Sequence, residues 1–226
     1  MKIKVNGTTL HYENFGNPNA DQTILLIHGM GESGEIFAET IAVLVANGYR
    51  VVTIDSRGQG RSQPLAKGEL LHYRQMAADT AAVINKLKLN KPLLVGYSDG
   101  GIIGAMVAAQ HPNMLGGLVT CGANARPWGA KWGCWLGMAK DAALKRNPLH
   151  IMGATEPHIP VRELHQITCP TWILAGSRDL IREHETRRIA AAIPGAHLKI
   201  LPGEDHGSYI NHSEKLGKII LDLFPN

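Results

Sequence analysis

From residue 23 onward, short apolar runs alternate with longer stretches in which apolar residues recur every three or four positions, and this rhythm constrains the fold more than any other feature of the chain. Thr23–Ile27, Arg50–Ile54, 92–96 and Gly117–Cys121 lack the in-and-out alternation of a half-exposed sheet, so strands made from them need cover on both faces. The intervening segments 35–47, 71–87 and Asp99–Gln110 have helical period. Parallel strands joined by helical crossovers cover both faces at once, which predicts an α/β class with a mostly parallel sheet. The pattern lapses between about residues 123 and 168, where prolines and glycines break up short helical pieces, and this stretch reads as a small helical cap. It resumes with strands at 171–175 and 198–201, a helix at 183–193, and a last helix bearing Leu216, Ile219, Ile220 and Leu223. Residues 2–15 alternate around Asn6-Gly7, a hairpin signal at a sheet edge. With 226 residues and 44% hydrophobic side chains, one domain spanning 1–226 is expected.

Composition narrows the function classes. A formal charge of +4, with 23 Lys and Arg spread along the chain, does not form a basic stripe for nucleic acid. Cys121, Cys134 and Cys169 contain no C-x-x-C pair, so reduced thiols are expected instead of disulfides or a zinc site. His184-Glu185 begins like H-E-x-x-H but ends in Arg188, and no metal is expected. The N-terminus carries no signal-peptide pattern, and the longest apolar stretch, 102–109, falls far short of the roughly 18 residues that span a bilayer. A cytoplasmic protein without a membrane partner is expected; monomer and homodimer stay open.

Chemistry enters with Gly96-Tyr97-Ser98-Asp99-Gly100-Gly101, placed between the Leu93-Leu94-Val95 strand and an apolar helix. A serine that attacks a carbonyl must be lifted off the sheet on a sharp turn, and glycines two residues to either side let neighbouring backbones pass. In a chain with 25 glycines the motif alone is weak; its strand-to-helix context makes it specific. A base and an acid should follow in the order Ser, Asp, His. Asp179 lies past the end of one strand and His206 directly after the next, where the ligand-binding loops of a parallel sheet gather. Ser98 is then the nucleophile, His206 the general base, and Asp179 the group that orients the imidazole. Glu204 and Asp205 are weaker candidates for the acid, being too close to His206 in sequence to reach behind its ring. His28-Gly29-Met30-Gly31 follows another strand, and the backbone N–H groups of Met30 and Asp99 are the candidate oxyanion donors.

These motifs, together with Asp55-Ser56-Arg57-Gly58-Gln59-Gly60-Arg61-Ser62, resemble the α/β-hydrolase family in the right order along nearly the whole chain. Within it the chain is similar to small esterases, lactonases and amino-acid ester hydrolases with an S-D-G-G elbow, though its cap is short. The resemblance implies hydrolysis of a small-molecule ester through an acyl-enzyme, without a cofactor. Lactone, aminoacyl ester and carbon–carbon hydrolysis, or perhydrolysis, would use the same triad.

Two readings from other classes remain to be weighed. Gly29-Met30-Gly31-Glu32-Ser33-Gly34 imitates a dinucleotide fingerprint with Asp55 ending the next strand, but an NAD(P)-binding oxidoreductase leaves Ser98, Asp179 and His206 without a role. A non-catalytic ligand-binding protein on the same fold would leave the same residues idle. In the cap, Trp128, Trp132, Trp135 and Met138 fall at helical spacing after Pro127. They predict either an aromatic face over the site, binding substrate, or simple packing of the cap onto the core.

Overall fold

A computed structural model describes residues 1–224. Eight strands form one sheet in the order β1-β2-β4-β3-β5-β6-β7-β8. They comprise β1 (Lys2–Val5), β2 (Thr8–Phe15), β3 (Thr23–Ile27), β4 (Arg50–Ile54), β5 (Leu93–Tyr97), β6 (Gly117–Cys121), β7 (Thr171–Gly176) and β8 (His197–Leu201). The Asn6-Gly7 turn joins β1 and β2 antiparallel, β2 runs antiparallel to β4, and every other pairing is parallel. The α/β class read from the rhythm is the class observed.

Alternate residues of each strand feed two separate cores, as a period of two requires. Leu25, Ile27, Val52, Ile54, Leu94 and Leu118 pack beneath α2 (Tyr73–Lys86), α3 (Asp99–Gln110) and α7 (Glu183–Ala192). Ile24, Leu26, Val51, Val95 and Val119 pack beneath α1 (Ala38–Ala46) and α8 (Lys215–Leu223). In α8 the apolar residues form a single stripe that buries Leu216 and Ile220. By contrast α3 is buried from Asp99 to Ala109, because α2, α6 (Val161–Leu164) and the sheet surround it. The helix expected at 35–47 opens as a 3-10 turn over Gly34–Phe37, with Ser33 as N-cap, before α1 begins.

The cap lies between β6 and β7 and contains α4 (Trp132–Lys145), α5 (Pro148–Thr155) and α6. The first two pack on each other, whereas α6 packs on α3 and α7. Leu164 and Ile167, like Met152 of α5, belong to the sheet's own core, so the part that stands off the sheet is α4, none of whose described residues is buried. Its near end is tied down by Glu185, a fully buried side chain on α7. Glu185 accepts from the Ala125 N–H at 3.1 Å and pairs with Arg126 and Arg188. Burial would raise this carboxyl's pKa, but those three donors outweigh it and hold it at about 2. The expected failure of the H-E-x-x-H pattern therefore has a physical counterpart: Glu185 faces arginines.

The hairpin is held to the rest of the fold by Arg57, whose guanidinium donates to both Asp79 oxygens at 2.8 and 3.0 Å and to the Asn6 carbonyl at 3.0 Å. Both side chains of this ion pair are buried. Asp79→Ala should leave the buried Arg57 cation with only Glu69 at 3.5 Å and the Asn6 carbonyl and destabilise the protein by about 3 kcal/mol; a urea-denaturation midpoint reads this directly.

Candidate active site

Ser98 occupies the turn from β5 into α3 with φ 50° and ψ −112°, a left-handed conformation that costs a non-glycine residue of order 1–3 kcal/mol. The surroundings enforce it. The Ser98 N–H donates to the Cys121 carbonyl at 2.8 Å, and its own carbonyl accepts from Gly101 and Ile102 at 2.9 and 3.1 Å. A Cβ on Gly96 would lie 2.1 Å from the Gly100 oxygen, and one on Gly100 would lie 2.0 Å from the Ile27 oxygen. Only glycine lets β3, β5 and α3 cross at this point, which lifts the hydroxyl into a cleft of about 210 Å³.

The structure brings the three sequence-predicted side chains together. His206 Nε2 lies 3.1 Å from Ser98 Oγ, and His206 Nδ1 lies 2.6 Å from Asp179 Oδ1. The buried Asp179 also accepts from the Ile181 N–H at 2.9 Å and the Gly176 N–H at 3.2 Å. Its backbone donors fix the carboxylate, and the carboxylate fixes the ring. The loops carrying Asp179 and His206 are stitched to each other by Arg178 N–H to the Glu204 carbonyl and by Gly203 N–H to Ser177 Oγ, both at 2.9 Å. Glu204 and Asp205 have other work: Glu204 pairs with Lys215, and Asp205 caps the amides of Gly207 and Ser208.

The loop after β3 supplies the opposite wall. His28 is fully buried; its Nδ1 meets the Gly29 carbonyl at 2.6 Å and its Nε2 accepts from the Ser56 N–H at 2.9 Å. Burial lowers its pKa against the Gly29 carbonyl, which favours the cation, so the ring is a neutral strut. The Gly29 N–H is taken by Glu32 Oε2 at 3.1 Å and the Gly31 N–H by Gln59 Oε1 at 2.6 Å. Met30 lies between them in the cleft wall, its N–H without an acceptor among the described residues. Across the cleft, the Asp99 N–H opens α3 and has no intrahelical partner. Asp55 braces this assembly by accepting from Gly34 and Arg61, each at 2.8 Å. The dinucleotide-like turn thus has its Gly29 and Gly34 amides occupied by the chain's own carboxylates.

Several cleft residues were not singled out from the sequence. Tyr97 packs on the His206 ring with centroids 5.1 Å apart, and burial raises its phenol pKa. Glu32, also shifted upward by burial, accepts from Asn211 at 3.4 Å. Tyr73 donates to Asp99 Oδ1 at 2.7 Å, while Asp99 Oδ2 is buried without a partner. Burial pushes the Asp99 carboxyl up to about 6, opposed by the Tyr73 hydrogen bond. For Gln59 a signal existed, its place in the Asp55–Ser62 loop; for Tyr73 and Tyr97 no spacing marks them.

The sequence left two arrangements open for the cap residues, an aromatic face over the site or packing onto the core, and the structure places the four side chains in different surroundings. Of Trp128, Trp132, Trp135 and Met138, only Met138 lines the cleft, joined by Cys134, Leu180 and Ile181. The helical register is broken at Ala130 and Lys131, which are extended because Ala130 bridges to Ile181. Trp128 therefore sits on the preceding 3-10 turn against His158. Trp132 faces outward under the Arg182 guanidinium, and Trp135 points to α5, donating to the Ala154 carbonyl at 3.1 Å. Met30 and Met138 meet over Gly153, where a Cβ would come within 2.6 Å and 2.9 Å of them.

The sequence model of the alpha/beta hydrolase fold matches residues 22–141. The serine hydrolase BPHL of Homo sapiens is 27% identical over 249 residues, covering 98% of this chain and 85% of that protein. Among solved structures, the enol-lactonase from Burkholderia xenovorans LB400 matches with a TM-score of 0.83 and 22% identity over 99% of both chains. A thermophilic esterase from Thermogutta terrifontis matches with a TM-score of 0.78 and 23% identity, over 98% of this chain and 96% of that one. At these identities the two structures bear on the fold alone.

The glycine geometry is directly testable. Gly100→Ala should lose several kcal/mol of stability or fail to fold, since backbone atoms cannot yield to the new Cβ. Gly133→Ala, on α4 with nothing within 4 Å of the added atom, should gain about 0.5–1 kcal/mol. Thermal melts of the pair check both signs.

Proposed function

The chain belongs to the α/β-hydrolase fold family, and from that premise we propose that it is a serine hydrolase cleaving carboxylic esters of small to medium acyl or alcohol groups. The observation that carries this reading is the continuous line from Asp179 through His206 to Ser98, at 2.6 and 3.1 Å, on the wall of a cleft. His206 keeps its Nδ1 proton on Asp179, which leaves Nε2 free to take the Ser98 proton as Oγ attacks the ester carbonyl. The oxyanion accepts from the Met30 and Asp99 N–H groups, each donor of this kind contributing on the order of 3 kcal/mol. His206 returns the proton to the leaving alcohol, then activates the water that releases the acid and regenerates Ser98. No step requires a cofactor or metal.

Ser98→Ala should lower kcat/KM for p-nitrophenyl esters by at least about a thousandfold with no loss of stability, because alanine relieves none of the packing around the turn. A panel of rising acyl length, run beside a lactone, locates the preferred class. Wild-type turnover surviving in Ser98→Ala would sink the assignment.

One observation favours a second reading of the substrate. Asp99 Oδ2 is a buried acceptor without a partner on a residue that lines the cleft, and an unpaired buried carboxylate oxygen is costly unless a donor arrives. An ammonium group on the substrate, as in an aminoacyl ester, supplies one. The carboxyl titrates at about 6, so it is charged above that pH and neutral below it. The ratio of KM for a cationic aminoacyl ester to that for its neutral isostere should therefore rise as pH falls through about 6, the common dependence on His206 cancelling. A flat ratio removes the aminoacyl reading and leaves the ester reading standing.

A further inference from the structure

The charge of this protein is not distributed as its scattered lysines imply. Residues 126–150 contain five Lys and Arg and one acidic residue, Asp141, leaving eighteen basic and eighteen acidic residues in the rest of the chain. The formal net charge of +4 therefore equals that of this one segment, which runs from the base of the cap through α4 into the start of α5. Arg126 is committed to Glu185, and Asp141 is paired with Lys145 and His150. Lys131, Lys140 and Arg146 are exposed and have no ion-pair partner among the described residues.

The same segment exposes large apolar side chains. Trp128, Trp132, Leu136 and Leu144 are 44, 59, 56 and 70% exposed. The last three lie on α4, at positions i, i+4 and i+12, together with Lys140 at i+8. They occupy the face opposite Cys134 and Met138, which line the cleft. Helix α4 is thus apolar toward the cleft and apolar again toward solvent, with Lys140 on the outer face and Lys131 and Arg146 at the two ends of the helix. A globular helix that only covers a site would carry polar residues there.

We propose that the outer face of α4, with the adjoining Trp128, is a peripheral docking surface for an anionic lipid bilayer. Charge selects this occupant. A second copy meeting the same face across a two-fold axis would bring two concentrations of like charge together. An anionic headgroup layer attracts Lys131, Lys140 and Arg146, and it admits tryptophan and leucine side chains at the level of the acyl boundary. Such docking lies along the surface: no helix among the described residues is long and apolar enough to cross a membrane. The sequence expectation of no membrane partner was argued from the lack of a spanning segment, and this proposal departs from it.

The test is co-sedimentation with vesicles of phosphatidylcholine alone and of phosphatidylcholine with phosphatidylglycerol in equal amounts. Partitioning onto the anionic vesicles should exceed that onto the neutral ones by about tenfold or more, shift tryptophan emission to shorter wavelength, and vanish at about 0.5 M NaCl. Leu136→Ser with Leu144→Ser, and separately Lys131→Glu with Lys140→Glu, should each lower it by about tenfold with unchanged circular dichroism. All four residues are exposed, and the lysine pair leaves the packing untouched if the leucine pair does not fold. Equal partitioning onto both vesicle types, or binding that survives both pairs of substitutions, would overturn the proposal. So would concentration-dependent dimerisation abolished by the leucine pair, since the face would then belong to a second copy.

Discussion

Everything around the candidate site depends on a close passage of backbones at the C-terminal edge of the sheet. The first turn of α3 comes down on the end of β3 at Gly100 and on β5 at Gly96, with no room for a methyl group at either position. That approach sets the strained φ of Ser98, and the strain is held by three backbone hydrogen bonds and by the complete burial of α3 among neighbouring helices. The hydroxyl is exposed because the chain beneath it has nowhere else to go. Strain of this kind persists only where the surroundings over-determine it.

Around that point the loops are fixed by side chains acting on backbone amides. Asp55 holds Gly34 and Arg61, Gln59 holds Gly31, Glu32 holds Gly29, His28 accepts from Ser56, and Asp179 accepts from Gly176 and Ile181. The Asp55–Ser62 loop thereby becomes the scaffold for the Met30 loop. In the proposed reaction, its worth lies in keeping one amide unclaimed between two that are claimed. Donors fixed in advance cost no reorganisation when charge develops on the substrate oxygen.

Much of this was legible in the sequence, because the determinants were local. Strand and helix positions followed from periodicity, and the α3 bounds from an elbow motif that states its own context. The approach of Asp179 and His206 to Ser98 follows from a parallel sheet gathering its strand ends on one rim. What escaped was set by tertiary contact. Tyr73 reaches Asp99 across 26 residues and Glu32 meets Asn211 across 179; no spacing announces either. The tryptophan spacing does not carry over into one helical face for a related reason: the Ala130–Ile181 bridge breaks the register that an uninterrupted helix would keep. Counting charge over the whole chain also hid its concentration in the cap.

The two faces of α4 make sense together only if the cap does more than close a hydrophobic core. Toward the cleft it contributes Cys134 and Met138, and Met138 meets Met30 over Gly153. Thioether side chains are unbranched and adapt their shape at little cost, so this wall yields to the group it contacts, while the opposite wall of Ser98, His206 and fixed amides does not. In the proposed ester hydrolysis, specificity would come from the rigid side through the position of the carbonyl, and tolerance from the soft side through the chain attached to it. Anchoring by Glu185 at one end and packing of α4 on α5 at the other keep the soft wall in place without stiffening its side chains. A small cap can therefore be selective about chemistry and permissive about bulk at once.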